Sequence, residues 1–228
     1  MPPSNRYIIS LGGSLIVPDE IDTKFLSAFH KIIEAQTRRG RKFVLITGGG
    51  RTARRYSEAA KALGDLNPDD LDWLGIHSTR LNGHLLRTIF RKLAHSRIVT
   101  NPKETETTSK PVIIAAGYRP GWSTDYVGVL LARHYQSAVL LNLSNIDYVY
   151  NKNPKNHPDA KPIKQISWKE FRKLVGNKWD PGLNTPFDPV ASRLAEKLKL
   201  RVVVMNGKNL KNLQNFLAGR KFIGTLIG

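Results

Sequence analysis

Three consecutive glycines carry the clearest chemical signal in this chain. They stand in Leu45-Ile46-Thr47-Gly48-Gly49-Gly50-Arg51-Thr52-Ala53-Arg54-Arg55-Tyr56, where the apolar run Phe43 to Ile46 reads as a buried strand and a helical pattern follows. A strand that stops at glycines and turns into a helix makes an anion site. Without Cβ atoms, backbone N–H groups approach a phosphate closely, and the helix N-terminus adds partial positive charge. Arg51, Arg54 and Arg55 bring cations to the same region. Gly12-Gly13-Ser14 repeats the pattern after the β-rich run Arg6 to Leu11. For either run alone, a tight turn beside a solvated basic face is the plain alternative.

The familiar phosphate signatures do not fit. GxxxxGK[ST] is absent, which excludes a P-loop ATPase. Gly48 to Ala53 satisfies GxGxx[GA], but a dinucleotide fold needs a ribose-binding acid about 20 residues on, at the end of the next strand. Asp70 and Asp72 have that spacing and instead open a helix. HExxH, GxSxG and the protein-kinase pairings are also absent. With no cysteine in the chain, disulfides, thiol catalysis and thiolate metal sites are excluded.

The elements that position these residues alternate. Asp22 caps a helix with Phe25, Leu26, Phe29, Ile32 and Ile33 on one stripe and Gly40 past its end. Arg51 to Leu63 is a helix stopped by Gly64. Asn67-Pro68-Asp69-Asp70 opens a long amphipathic helix running to Leu93. Arg97 to Thr100 reads as a short strand, Asn101 to Lys110 as a loop and Pro111 to Ala116 as a strand. Gly117 to Gly121 is a turn, and Thr124-Asp125 opens a helix to Tyr135. Ala138 to Asn142 is a strand, Ser144 to Pro154 a loop with a short β pair, and Lys155 to Lys164 irregular. Ser167 caps a helix to Val175, and a loop carrying Trp179 runs from Gly176 to Pro186. Pro189 opens a helix to Leu198, followed by strand Arg201 to Met205, helix Leu210 to Leu217 and strand Phe222 to Ile227. This order predicts one three-layer α/β/α sandwich with a mainly parallel central sheet. Four strand ends with small and polar residues then line one edge, where an extended phosphorylated ligand and a second substrate fit.

Lys and Arg number 36 against 18 Asp and Glu, a net charge of +18. Such a field attracts phosphorylated metabolites, nucleic acid or anionic membranes. The cations are spread rather than blocked and do not alternate with aromatics, so nucleic-acid binding is possible but not favoured. No apolar run approaches the roughly 18 residues of a membrane span. The N-terminus lacks a signal-peptide core, so a cytoplasmic protein is expected.

Taken in order, LGGSL, TGGGRTARRY, LDWLGIHSTRLN, GYRPGWSTD, NLSNIDYVYNKNP and NTPFDPVAS resemble the amino-acid-kinase superfamily and, within it, the archaeal-type uridylate kinases. The resemblance covers nearly the whole chain, residues 1–228. It implies a single amino-acid-kinase-like domain, with an acceptor-binding lobe over about 1–135 and an ATP-binding lobe over about 136–228. It implies phosphoryl transfer from ATP, with Mg²⁺, to UMP in pyrimidine nucleotide biosynthesis, and a homo-oligomer, commonly a hexamer.

Residue by residue, the resemblance places Gly12 and Gly13 against the ATP phosphates at the catalytic centre, with Ser14 adding a hydroxyl. Gly49 faces UMP, while Gly50 and Arg54 face ATP. Asp72 binds the UMP ribose, and an acceptor-only carboxylate suits two hydroxyls. Arg80 is assigned the UMP phosphate, which a guanidinium fork can grip bidentately. Tyr118, Arg119, Pro120, Gly121, Trp122, Ser123 and Thr124 wrap the acceptor nucleotide. Ser144, Tyr150 and Asn153 match ATP contacts, and Asp147 matches the aspartate that organises charge at transfer. Each has a plainer reading. Asp72 also suits a first-turn helix carboxylate, Arg80 a solvated helix residue, Asp188 an N-cap and Tyr150 hairpin packing. His30 and His84 look structural or solvated. The first glycine turn lacks the lysine of many superfamily members, leaving Lys152, Lys155 and Lys161 as candidates for the neutralising cation. Asn153 stands where aspartate is usual. The competing readings are another small-phosphate kinase of the superfamily, such as isopentenyl phosphate kinase, and a relative that binds nucleic acid or regulates without turnover.

Overall fold

The computed structural model describes residues 5–104, 107–154, 156–176 and 185–228. Lys155, Trp179 and Asn184, the first residue of NTPFDPVAS, lie outside them.

A seven-stranded sheet runs through the molecule in the order β3-β2-β1-β4-β8-β9-β7. Strands β1 (Arg6–Leu11), β2 (Lys42–Thr47), β3 (Val112–Ala115), β4 (Val139–Ser144) and β8 (Arg201–Asn206) are mutually parallel. The chain moves outward from β1 through β2 to β3, then returns to the other side of β1 at β4. That reversal opens a crevice at the carboxyl ends of β1 and β4, where ligands bind in open α/β sheets.

Side chains alternate along the strands, and both faces are covered, as expected of parallel strands with apolar runs. Ile9, Leu11, Leu45, Leu141 and Val203 pack beneath α2 (Thr23–Thr37), the end of α4 (Pro68–Ile89) and α8 (Leu210–Leu217). Ile8, Val44, Ile46, Leu140 and Val202 pack beneath α5 (Thr124–His134), α6 (Trp168–Val175) and α7 (Pro189–Lys197). This is the predicted three-layer α/β/α sandwich.

Helix ends follow their caps. Asp22 accepts from Phe25 N–H at 2.9 Å. Asn67 and Asp70 form a reciprocal capping box at the start of α4, and Asp188 caps α7 through Ala191 N–H at 2.7 Å. Ser123, rather than Thr124 or Asp125, caps α5.

The differences from the sequence reading lie where strands are short. Gly13–Ile16 forms a single-turn helix, α1, and not only a turn. The long helix stops at Ile89, short of Leu93. Arg97 to Thr100 supplies one bridge, Val99 to Ala115, and no strand. Within the stretch read as irregular, β6 (Pro162–Ile163) pairs with β5 (Val149–Tyr150), and just past it β7 (Gln165–Ile166) joins the main sheet. The last strand, β9 (Thr225–Ile227), is shorter than expected and antiparallel to β8. Two-residue strands have no readable period, because their partners define them.

Candidate active site

Gly12 follows β1, and its N–H donates to Leu143 O on β4 at 2.9 Å. Next to it the two glycine turns lie backbone to backbone. A Cβ on Gly13 would sit 2.0 Å from Gly50 N, and one on Gly48 would sit 2.4 Å from Gly13 N. Gly50 also has φ +65°, the left-handed region that favours glycine. No side chain fits between the turns. Gly13 and Ser14 open α1, and Gly50 opens α3 (Gly50–Leu63), where first-turn N–H groups have no intrahelical acceptor.

The β2–α3 turn is oriented from α4. Asn82, buried at 3% exposure, donates to Gly48 O at 2.8 Å and Gly49 O at 3.2 Å. A trans peptide places its N–H opposite its C=O. Holding these carbonyls inward therefore turns the Gly49 and Gly50 N–H groups away from Asn82. Thr79 performs a second tie: it takes the Gly117 N–H on its hydroxyl at 2.8 Å, while its carbonyl accepts from Thr47 Oγ1 at 2.9 Å. The ends of β2 and β3 are thus fixed to one turn of α4. Sequence reading passed over Thr79 and Asn82, although both lie within the STRLN stretch.

A cleft of about 270 Å³ opens beside these turns, lined by Gly49, Gly50, Ala53, Arg54, Asp72, Gly75, Ile76, Thr79, Gly117, Trp122 and Thr124. Asp72 is the fifth residue of α4, so it is not a first-turn carboxylate. One of its oxygens accepts from Gly121 N–H at 2.8 Å. Arg119-Pro120-Gly121-Trp122 forms a turn closed by Trp122 N–H to Arg119 O at 3.2 Å, with Gly121 at φ +77°. Proline followed by a left-handed glycine is the type II signature. Arg119 lies 4.8 Å over the Trp122 ring and 5.4 Å over Tyr118. Ser123 serves as the α5 cap, with its Oγ 3.1 Å from Tyr126 N–H.

Of the three arginines after the glycines, only Arg54 lines the cleft. Arg55 pairs with Asp19 at 3.0 Å and Glu20 at 3.1 Å, and Arg51 lies 3.6 Å from Glu58. Arg51 and Arg55, four apart on α3, both reach Asp19, at 3.9 Å and 3.0 Å. Arg80 is outside the lining. Its Nε donates to Gly117 O at 3.2 Å and its Nη2 to Tyr118 O at 2.7 Å. These two donors form the side edge of the guanidinium fork, so that edge holds the cleft wall. Partial burial disfavours the Arg80 charge slightly.

On the other side, Ser144 ends β4 next to Gly12, where a Gly12 Cβ would be 3.8 Å from Ser144 Cα. Asp147 is exposed on the loop that follows. Tyr150 is half-buried in β5, paired with Pro162. Asn153 is exposed, and its carbonyl accepts from the N–H groups of Asn156 and His157. Lys152 is paired with Asp159 at 2.5 Å, and Lys161 is exposed.

Asp188 is buried and Asp125 half-buried, and both read from sequence only as helix-opening residues. Asp125 accepts from Asp188 N–H at 3.0 Å. Burial, reinforced by the Asp188 charge and opposed by hydrogen bonds from Asp188 N–H and Ser10, pushes the Asp125 carboxyl up to about 7. Ser10 and Asn142 are register partners on β1 and β4, and both are buried polar residues in this layer. Both acids stand at helix starts, Asp125 in STD on α5 and Asp188 in FDP as the cap of α7. Among the described residues, no group of three or more His, Asp or Glu side chains converges as a metal site, and no helix is long and apolar enough to cross a membrane.

Residues 5–206 match the model of the amino acid kinase family. The chain is 32% identical to the uridylate kinase of Thermoplasma volcanium, covering 98% of each chain. It is 31% identical to that of Methanospirillum hungatei, covering 96% of this chain and 93% of the relative. The crystal structure of uridylate kinase from Archaeoglobus fulgidus superposes with a TM-score of 0.83 at 29% identity, over 97% of this chain and 99% of that one. UMP kinase from Bacillus anthracis has the same fold, with a TM-score of 0.80 at 21% identity, over 99% and 96%. Two glycine turns in backbone contact, a carboxylate-bearing cleft on one side of them and full-length similarity together place the chain in the amino acid kinase family.

Proposed function

We propose that the protein is a UMP kinase, which moves the γ-phosphoryl group of ATP to UMP and releases ADP and UDP. The observation that carries this reading is the contact of Gly13 with Gly48 and Gly50. In this reading the β1–α1 and β2–α3 turns together form one thin backbone wall, with the donor on one side and the acceptor on the other.

The acceptor side is the cleft with Gly49, Asp72, Trp122 and Thr124. Asp72 keeps one oxygen for a ribose hydroxyl while the other holds the Gly121 turn. Arg54 brings a cation into this cleft from its border with the donor side. Arg80 acts on the UMP phosphate through its charge and its remaining donors, and on the wall through its fork. The donor side follows the ends of β1 and β4, with Gly12, Gly13, Ser14, Ser144, Asp147, Tyr150 and Asn153. In this reading residues 1–135 chiefly hold the acceptor and 136–228 the donor.

The acceptor is a phosphate oxygen, already ionised near neutral pH, so no general base is needed. Catalysis is positioning plus stabilisation of charge on the transferring group. The residues suit Mg²⁺ delivered as the ATP complex, because the described chain offers no protein cage and Mg²⁺ is commonly held by phosphates and water. When bound, it neutralises phosphate charge. The chain's own part is to aim backbone N–H groups and to exclude water with the 118–124 segment.

The same reading places the protein in the cytoplasm as a homo-oligomer. In support, α3 buries no side chain and exposes Tyr56 at 61% and Leu63 at 89%, apolar surface that a second copy can cover. The deciding experiment is a coupled ADP-release assay with UMP, CMP, dUMP, AMP, GMP and isopentenyl phosphate. UMP should give the highest kcat/KM. A preference for isopentenyl phosphate, or no turnover with any acceptor, refutes the reading.

A further inference from the structure

The nucleotide cleft uses few of the cations behind the +18 net charge. Four of the others line one groove. Between α2 and α8 lies an open furrow of about 330 Å³, with Lys31 and Arg39 on one rim and Lys211 and Arg220 on the other. Gln214 and Asn215 supply neutral donors between them. No Asp or Glu lines it. Between Thr23 and Thr47 the only acid is Glu34, tied to Arg38 at 3.1 Å, and after Glu196 the chain has no Asp or Glu. All four rim cations are exposed, and none is ion-paired among the described residues. The furrow shares no residue with the nucleotide cleft.

Four like charges around one groove repel each other and gather counterions. A chain of phosphates displaces those ions, and their release drives binding. A single nucleotide is a poorer match. The lining contains no aromatic face for a base and no carboxylate for a ribose. Single strands are usually held by aromatic platforms that stack their bases, which this groove also lacks. Charge and amide donors alone suit a backbone whose bases are already paired.

We propose that the α2–α8 groove binds the phosphodiester backbone of double-stranded nucleic acid without reading its sequence. This site is separate from the kinase reading and does not depend on it.

The test is fluorescence anisotropy with a labelled 24-base-pair DNA duplex of mixed sequence, titrated at several salt concentrations between 50 and 200 mM. Four phosphate contacts predict a slope of log K against log salt of about −3 to −4. The variant Lys31→Gln/Arg39→Gln/Lys211→Gln/Arg220→Gln should bind at least tenfold more weakly at the lowest salt, with a nearly flat slope. A control with as many exposed cations neutralised elsewhere, Lys61→Gln/Arg91→Gln/Lys169→Gln/Lys173→Gln, should bind within about twofold of the wild type. ADP release from UMP and ATP should be unchanged in both, which separates this test from the fate of the kinase reading. If the fourfold variant unfolds early on heating, the pairs Lys31→Gln/Lys211→Gln and Arg39→Gln/Arg220→Gln replace it, each lowering the slope by about 2. Absence of duplex binding by the wild type at 50 mM overturns the proposal. So does an equal loss in the control, which would mean diffuse surface charge. Saturable, variant-sensitive binding of inorganic tripolyphosphate without duplex binding also overturns it, in favour of a discrete small-anion site.

Discussion

Asp72 and Gly121 lie 49 residues apart and meet through one hydrogen bond of 2.8 Å, from the glycine N–H to the Asp72 carboxylate. The bond fastens the type II turn of the cleft wall to the second turn of α4, so one carboxylate both shapes the cleft and lines it. Asp72→Ala should raise the KM for UMP by about 10- to 100-fold, the range of a charge-assisted hydrogen bond, and leave the KM for ATP nearly unchanged. Asp72→Asn keeps an acceptor for Gly121 and should fall between the two. Equal UMP saturation in wild type and Asp72→Ala would remove the ribose assignment.

Substitution can separate the wall-holding role of Arg80 from the phosphate-binding role proposed for it. Lysine keeps the charge but cannot reach both the Gly117 and Tyr118 carbonyls with a planar fork. Arg80→Ala should weaken UMP use at least about tenfold. If wall-holding dominates, Arg80→Lys is nearly as impaired as Arg80→Ala; recovery by lysine assigns the effect to charge. Steady-state kinetics with varied UMP decides.

Asn82→Asp tests the orientation of the glycine turn. An ionised carboxylate has no donor, so it would face the Gly48 and Gly49 carbonyls with repulsion. The expected result is a loss of kcat of about 100-fold or more, with both substrates affected. A variant that keeps its melting temperature but not its turnover locates the defect in the turn. Wild-type turnover in that variant removes the role.

Gly13→Ala inserts a methyl 2.0 Å from Gly50 N and 2.8 Å from Gly48 C, both backbone atoms that cannot rotate away. Its cost should be roughly 3 kcal/mol or more, with loss of activity. Gly64 is the contrast, because its φ of 173° is extended backbone and nothing lies within 4 Å of the added carbon. Gly64→Ala should be neutral or stabilising by about 0.4–1 kcal/mol. Thermal or urea melts of the two variants compare them directly.

Asp125 makes stability depend on pH. Its native carboxyl titrates at about 7 rather than 3.8, mainly because burial disfavours the charge. Between these values the native state holds a proton that the unfolded chain has released. Stability therefore falls as pH rises from about 4 to 7, by at most roughly 4 kcal/mol. Asp125→Asn keeps an acceptor for Asp188 N–H and removes this titration. Urea melts at pH 5 and pH 8 should show wild type losing more stability than the variant; parallel losses would contradict the assignment.

The sequence showed what local chemistry determines. Caps at Asp22, Asn67, Ser167 and Asp188 mark helix starts, and apolar runs mark the strands covered on both faces. It marked both glycine turns but not that they touch, because Gly13 and Gly50 meet only once β1 and β2 pair in register. The same limit hid Asp125, whose elevated titration arises mainly from burial, in a setting that brings in Ser10 and Asp188 from more than 60 residues away in each direction. It also grouped Arg51, Arg54 and Arg55 by proximity, whereas the acids that divide them lie at Asp19, Glu20 and Glu58.

The wall between the two turns is made of glycine backbone alone. A partition without side chains has nothing with which to tell one phosphate ester from another. In the proposed reading, discrimination falls to its rims, to Asp72, Trp122 and the 118–120 segment on one side and to the loop after β4 on the other. Rim residues can be exchanged without moving the atoms that align transfer. A fold built this way can change acceptors over evolutionary time while its reaction stays the same.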